Sequence, residues 1–208
     1  MMVKTMVFGQ DPQFSQFYAS PLYMGPSFAG AAEKTRFTLN YRDQWPKLPG
    51  MFVTYSFAAD HYVEEWNSGF GLFFMNDQAG DGKINTTNVA GNYSYKVKLS
   101  DRWYFRPGVK FFYHQYQIDY NKVVFNDQLG FDYINPSSVE IPEDDKVSYI
   151  DFGSSVLLYN SRYWIGAMVD HMIKASPSFS NNPNYKPIKY SLFGGAQIPL
   201  ERLHYKKK

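Results

Sequence analysis

Residues 88–117 read NVAGNYSYKVKLSDRWYFRPGVKFFYHQYQ, and apolar side chains alternate with polar ones along most of this stretch. In its first half, Val89, Tyr93 and Tyr95 share one face, whereas Asn92 and Ser94 share the other. The alternation resumes after a tight turn of Ser, Asp and Arg at 100–102. A period of two residues is that of a β-strand, whose side chains point to opposite faces in turn. The stretch therefore predicts a long β-hairpin.

Each half of this hairpin is unusually long. The two runs have about a dozen residues each, against ~5–6 in a typical strand. A tilted strand needs ~9–11 residues to cross a bilayer. The aromatic face carries no charge, while lysine and arginine collect on the other face. Such a strand suits contact with lipid as well as packing in a protein core.

Composition limits the class of protein. The chain has 208 residues, which is one large domain or part of one, and aromatic residues make up 19% of it, a bias that favours strands. It contains no run of ~18 apolar residues, so a transmembrane helix is excluded, but a transmembrane barrel is not. The net charge of +2 is too small to indicate nucleic acid as a partner. The absence of cysteine excludes disulfides and thiolate metal sites.

The remaining sequence divides into further segments of the same kind. With the two halves of the hairpin, the pattern predicts eight strands, the other six at 35–42, 51–60, 66–75, 147–159, 163–173 and 188–200. The connections after strands two, four and six are short, and those after strands one, three, five and seven are longer. Alternating short turns and long loops are typical of outer-membrane barrels. The predicted fold is an all-β, antiparallel, up-and-down outer-membrane β-barrel with about eight strands present.

The positions of the tryptophans and of the charged residues support a barrel whose aromatic face meets lipid. Trp66, Trp103 and Trp164 each lie near the start of a strand that follows a short turn, so we expect them at one depth, as in an interfacial aromatic girdle. If the aromatic faces meet lipid, a set of cations faces the lumen, with Asp60, Asp151 and Asp170 as counter-charges. The predicted lumen-facing cations are Arg36, Lys96, Lys98, Arg106 and Lys110. A soluble β-rich binding module remains an alternative, in which the aromatic face would form the core.

Two motifs carry a resemblance to a known family. Residues 10–30 read QDPQFSQFYASPLYMGPSFAG, in which prolines and glycines discourage regular structure although many aromatic side chains need burial. Residues 40–46 read NYRDQWP. Together these motifs resemble the PorP/SprF family of type IX secretion membrane proteins, and the strand pattern extends the likeness to most of the chain. The matching positions, predicted as an interaction site, are Gln10, Asp11, Pro12, Gln16, Phe17, Tyr18, Pro21, Arg42, Gln44 and Trp45.

The resemblance implies a non-enzymatic role without cofactors. A family member would lie in the outer membrane of a diderm bacterium, in contact with its lipid, and assist the export or surface anchoring of cargo proteins with a C-terminal sorting domain. Its further partners would be periplasmic subunits of the secretion and gliding machinery. An alternative is an outer-membrane channel or transporter for small anionic solutes. Residues 10–30 are expected either to plug the barrel or to contact a partner.

The sequence also predicts a domain organisation. Residues 1–9 contain one lysine and a short apolar stretch and are interpreted as the remnant of an export signal, with an ordinary disordered terminus as the alternative. Residues 10–33 are interpreted as the N-terminal aromatic, proline-rich motif packing in or on the barrel, and residues 34–208 as the barrel. Eight strands can close a barrel. Because members of the family are longer, the chain is instead expected to be the N-terminal part of a larger barrel, incomplete at its C-terminus, whose strand edges without partners would not survive alone in hydrocarbon.

No group of residues in the sequence indicates a catalytic or metal-binding site. The segment 77–82 resembles a calcium loop, but the third and twelfth ligand positions do not match. The histidines His61, His114, His171 and His204 have no spacing that would place two imidazoles on one metal, so no metal site is predicted. The pair Asp170-His171 would point to opposite faces of a strand. The sequence predicts no enzymatic function.

Overall fold

A computed structural model describes residues 17–47, 52–80, 84–120, 123, 145–173, 175 and 185–198. The interpretation of residues 1–9 as an export signal lies outside these ranges, as do the motif residues Gln10, Asp11, Pro12 and Gln16. The described helical turns are confined to the N-terminal part, apart from a 3-10 turn at Glu64–Trp66. No helix among the described residues is long and apolar enough to span a membrane.

The fold is an antiparallel half-barrel, as the alternation predicts. Neighbours in sequence pair in the order β1-β2-β3-β4-β6-β7-β8-β9, with the short β5 pairing to β6. The predicted all-β, up-and-down arrangement of eight long strands is therefore confirmed. The strands are β1 Arg36–Gln44, β2 Phe52–Val63, β3 Ser68–Ala79, β4 Ile84–Tyr95, β5 Val97–Lys98, β6 Tyr104–Ile118, β7 Lys146–Tyr159, β8 Tyr163–Asp170 and β9 Lys189–Ala196.

One connection differs from the prediction. The third and fourth strands extend further than their apolar pattern, so the connection between them shrinks to residues 80–83 and is short rather than long. Their polar ends pair in register, Asn76 opposite Thr87. The Asn76 Nδ2 atom donates to Asn85 Oδ1 at 2.6 Å and to Thr87 Oγ1 at 2.9 Å. Polar side chains thus pair across the ends of these two strands, where no apolar face guides prediction.

The two faces of the sheet have opposite chemistry. On the outer, convex face, large apolar side chains remain exposed, among them Phe37, Leu39, Tyr41, Phe57, Leu72, Val109, Phe111, Ile165 and Leu192. On the inner, concave face most side chains are buried, and many of them are polar or charged, among them Thr54, Ser56, Asp60, Asn92, Ser94, Arg106, Asp151 and Ser155. A smaller apolar set, including Phe73, Met75 and Phe112, is buried on the same face. Most exposed aromatic residues therefore point away from the concave side, and the buried charges point into it.

The N-terminal segment, defined as residues 17–35, covers the concave face. It contains 3-10 turns at Phe17–Ala19 and Pro26–Phe28 and the four-residue helix α1 at Pro21–Met24. The last two each begin with a proline, whose fixed φ suits the first helical position. Leu22 and Ala29 are buried with Phe73 and Phe112 in one apolar cluster. The segment thereby completes an apolar cluster that inward-facing residues of the sheet begin.

Glycines in the sheet allow the segment to come very close. A Cβ atom on Gly69 would lie 2.0 Å from the carbonyl oxygen of Ala29, and one on Gly108 would lie 2.4 Å from the backbone nitrogen of Ser27. Hydrogen bonds hold the segment at this distance. Ser94 Oγ donates to the Ala29 carbonyl at 2.7 Å, and the Ser27 amide donates to Ser155 Oγ at 2.8 Å. The segment is therefore in direct backbone contact with the sheet.

The tryptophans do not form one girdle. Trp66 is exposed and meets Phe70 edge-on at 6.1 Å on the outer face. Trp164, in contrast, packs edge-on against Phe28 of the N-terminal segment, with ring centres 5.8 Å apart. Its ring is also tilted against that of Phe193, with ring centres 6.2 Å apart. All three predicted positions lie near short turns, but the ring of Trp164 faces inward, because Trp164 shares the inward face of β8 with Met168 and Asp170.

Candidate functional site

The concave face is organised by charged side chains paired across strands. Arg36 of β1 lies opposite Asp60 of β2, and its Nε and Nη2 atoms donate to the two carboxylate oxygens at 2.8 and 3.1 Å. Asp60 also accepts the backbone amide of Gly30 at 2.8 Å, and Arg36 donates to the carbonyl of Phe28 at 3.1 Å. This ion pair fixes the N-terminal segment to the first two strands.

A second group of cations stacks on tyrosine rings near the short turns. Lys96 lies in the break between β4 and β5, forms an ion pair with Glu33 and sits 4.7 Å from the ring centre of Tyr104. Burial disfavours its charged form, but the Glu33 carboxylate outweighs this effect and raises the pKa of Lys96. Arg106 is completely buried, with its guanidinium 5.1 Å from the ring centre of Tyr62. Such a desolvated cation–π contact contributes about 2 kcal/mol.

The other two predicted lumen-facing cations have different surroundings. Lys110 of β6 forms a 3.0 Å ion pair with Asp170 of β8, and both side chains are largely buried. Lys98 lies in β5 beside the turn and forms a 3.0 Å ion pair with Asp101, with 60% of its side chain exposed. Lys98 is therefore not among the cations that the concave face brings together, because β5 is only two residues long and ends at the sheet margin.

A buried cluster of two histidines and one aspartate was missed by the sequence argument. Asp151 of β7 and His171, which follows β8, are joined by a 2.7 Å hydrogen bond between Oδ2 and Nδ1. His114 of β6 lies 6.1 Å from His171 between ring centres. One potential ligand atom from each of the three lies within 4.8 Å of the others. The expectation that no two imidazoles meet was wrong, because strands β6, β7 and β8 bring together residues far apart in sequence.

A second prediction, that Asp170 and His171 point to opposite faces, was wrong because of the backbone conformation at His171. Asp170 and His171 were expected on opposite faces, yet both line one cavity of about 60 Å³ on the concave side, next to Leu22 and Tyr23. Strand β8 ends at Asp170, and His171 adopts a left-handed conformation with φ 58°. That turn breaks the alternation and directs two successive side chains inward. Histidine is among the residues that tolerate this region better than most.

The described members of the two family-like motifs lie on separate elements. In the N-terminal segment, Phe17 falls in the first 3-10 turn, Tyr18 is exposed and Pro21 begins α1. At the end of β1, Arg42 donates a hydrogen bond to Gln44. Trp45 follows with φ 61°, meets Phe52 edge-on at 5.6 Å and remains 55% exposed.

The comparisons with known proteins agree with this architecture. The model of the family described as type IX secretion system membrane protein PorP/SprF matches residues 6–208. Comparison with curated proteins and with solved structures returned no match. The family match covers nearly the whole chain, including the N-terminal segment and every strand of the half-barrel. The chain therefore belongs to the PorP/SprF family of type IX secretion system membrane proteins.

Proposed function

We propose that this protein is a non-enzymatic subunit of the type IX secretion machinery in the outer membrane of a diderm bacterium. There it assists the export or surface anchoring of cargo proteins that carry a C-terminal sorting domain. The family supports a role in type IX secretion, and the exposed apolar rings of the convex face support contact with membrane lipid. Charged side chains on that face would be costly in lipid.

The observation that carries this proposal is the coverage of the concave face by the N-terminal segment. Backbone contacts at Gly69 and Gly108 and the ion pair between Arg36 and Asp60 hold the segment in place. A wide anion channel would instead need cations facing free solvent. Here Arg36, Lys96 and Lys110 are each paired with a carboxylate. This arrangement favours a scaffold that presents surfaces to other proteins over an open pore.

We assign the contact with partner proteins to the two family-like motifs. Among the matching positions whose exposure the structure describes, Tyr18 and Trp45 are the large aromatic side chains that are more than half exposed. Exposed aromatic rings are typical anchors of protein interfaces, since they bury a large area with few rotatable bonds. Trp45 itself adopts a left-handed backbone conformation just beyond the end of β1.

Substitution of these two rings tests the assignment. The variants Tyr18→Ala and Trp45→Ala are introduced into the producing bacterium, with Trp66→Ala as the matched control because Trp66 is equally exposed but belongs to neither motif. Surface delivery of sorting-domain cargo and the outer-membrane level of the protein are measured together. We expect cargo delivery to fall at normal protein level in both motif variants and to stay unchanged in the control. Unchanged delivery in all three variants would contradict the assignment.

Conductance separates the scaffold from the channel. The purified protein is added to a planar lipid bilayer, and the current is recorded with salts of different anions. We expect no steady current, because the N-terminal segment and the ion pairs occupy the concave face. A steady anion-selective current from the unmodified protein would overturn the scaffold proposal and support transport of small anions.

A further inference from the structure

We propose that His114, Asp151 and His171 form a binding site for one divalent transition-metal ion on the concave face. None of the three residues belongs to the motifs that carry the family resemblance. They come from β6, β7 and the residue that follows β8, and all three are buried. Their potential ligand atoms already lie within 4.8 Å of one another.

The distances fit a metal site with small movements of the side chains. Zinc binds imidazole nitrogen and carboxylate oxygen at ~2.0–2.2 Å, so its ligand atoms lie roughly 3.3 Å apart in a tetrahedral arrangement. Asp151 Oδ2 and His171 Nδ1 are now 2.7 Å apart, joined by a hydrogen bond. A metal ion would take the place of the shared proton and widen this gap by about 0.6 Å. His114 would approach from the neighbouring strand.

Neighbouring groups already orient two of the ligands. Asp151 Oδ1 accepts the backbone amides of Phe152 at 2.7 Å and Ile173 at 3.1 Å, which fixes the carboxylate. The Nδ1 atom of His114 is hydrogen-bonded to Asn88 Oδ1. Because an amide oxygen can only accept, Nδ1 carries the proton and the lone pair lies on Nε2. Hydrogen-bonded outer groups of this kind are the usual support of histidine and carboxylate ligands.

The strained backbone at His171 gives a second reason to regard the cluster as a site. Its left-handed conformation turns the imidazole inward, where strand alternation would have directed it outward. Such conformations persist when surrounding structure fixes them, and they are concentrated at functional sites. In the described structure, this conformation brings His171 Nδ1 within hydrogen-bond distance of Asp151 Oδ2.

The donor set selects the class of metal. Two imidazole nitrogens and one carboxylate suit zinc, nickel or copper, whereas calcium and magnesium prefer oxygen ligands alone. His171 would bind through Nδ1 as the tautomer protonated on Nε2. His114 and His171 also line the cavity of about 60 Å³, which has room for one or two water molecules. The fourth coordination position would therefore be filled by water from this cavity.

Metal titration of the folded, full-length chain tests the site. The protein is purified without a polyhistidine tag in detergent, and Zn²⁺ binding is measured by calorimetry, with Ca²⁺ as a comparison. The variants are His114→Ala and His171→Ala, and His61→Ala is the matched control because His61 is exposed and hydrogen-bonded to Thr35 instead. We expect one Zn²⁺ per chain in the unmodified protein and in the control. Each site variant should bind at least ~10-fold more weakly, since even loss of an outer-shell group costs 10–100-fold.

A spectroscopic measurement on the unmodified protein keeps the test independent of how the variants fold. Co²⁺ replaces Zn²⁺ and gives visible absorption whose intensity reports four-coordinate binding with nitrogen ligands. We expect this absorption to appear at one equivalent and to disappear on addition of excess Zn²⁺. Absence of one-to-one binding in the unmodified protein would overturn the proposal. It would equally be overturned by Zn²⁺ binding of undiminished affinity in a folded His114→Ala, His171→Ala double variant.

Discussion

The N-terminal segment comes so close to Gly69 that a single added methyl group, in Gly69→Ala, tests whether this backbone contact holds the segment in place. In Gly69→Ala, the new Cβ atom would lie 2.0 Å from the Ala29 carbonyl oxygen, whereas such atoms normally keep ~3.3 Å apart. The segment must therefore retreat by about 1.3 Å. The hydrogen bonds from Ser94 to Ala29 and from Gly30 to Asp60, now 2.7 and 2.8 Å long, cannot survive that displacement.

The expected loss of free energy for docking of the segment follows from the steric clash and the two lost hydrogen bonds. Overpacking typically costs ~1–3 kcal/mol. A neutral hydrogen bond contributes ~0.5–1.5 kcal/mol and one to a charged group ~1.5–3 kcal/mol. Even the low end of each range gives about 3 kcal/mol, which raises the population of detached segment roughly 100-fold. The matched control is Gly91→Ala, because a Cβ atom on Gly91 meets nothing within 4 Å. There we expect a change within about 0.5 kcal/mol.

Thiol labelling can measure the detachment, because the chain contains no cysteine. Ser20 lies in the segment, is buried, and its hydroxyl has no hydrogen-bond partner among the described residues, so Ser20→Cys should perturb little. In detergent-folded protein, labelling of Cys at this position should be slow in the parent and in the Gly91→Ala variant. It should be about 100-fold faster with Gly69→Ala. Equal labelling rates in the two glycine variants would refute the claim that backbone contact at Gly69 seats the segment.

Four further changes test other parts of the structure, each by denaturant unfolding in detergent or lipid. Leu22→Ala should lower the free energy of unfolding by about 2–5 kcal/mol, since Leu22 is fully buried beneath the sheet. Asp60→Asn should cost less than the ~3–5 kcal/mol of a fully buried ion pair, because the Arg36 side chain remains 27% exposed. Phe111→Arg should cost about 2–4 kcal/mol in lipid, and a neutral result would contradict the lipid-facing assignment. A double-mutant cycle of Lys110→Met and Asp170→Asn should give a coupling of about 0.5–3 kcal/mol; additive effects would show that the ion pair contributes nothing.

Strands were predictable wherever one face is apolar and the other polar. The period of two along residues 88–117 and in the segments that flank it places the strands within a few residues of their observed bounds. It fails between β3 and β4, where Asn76, Asn85 and Thr87 pair through their side chains. Polar residues on both faces give no alternating signal, so the strand ends were interpreted as loop. A period of two in the hydrophobic pattern reveals a strand only when one face of the strand is apolar. It gives no signal where strands pair through polar side chains on both faces.

The buried cluster on the concave face was not predictable from spacing. His114, Asp151 and His171 come together because three antiparallel strands lie side by side, and because the backbone of His171 departs from the strand conformation. Neither the strand register nor a single positive φ can be read from one sequence. The inward face of Trp164 follows from its place in β8 beside Met168 and Asp170, but its contact with Phe28, more than a hundred residues earlier in the chain, could not be predicted.

The bond between Ser27 and Ser155 spans 128 residues of sequence, so the contacts of the N-terminal segment are complete only when β7 has paired with β6. The Arg36–Asp60 ion pair and the bond from Ser94 to Ala29 involve β1, β2 and β4 instead. The fully seated segment therefore links early and late strands of the sheet, an arrangement that a partner contacting both the segment and the end of β1 would sense directly.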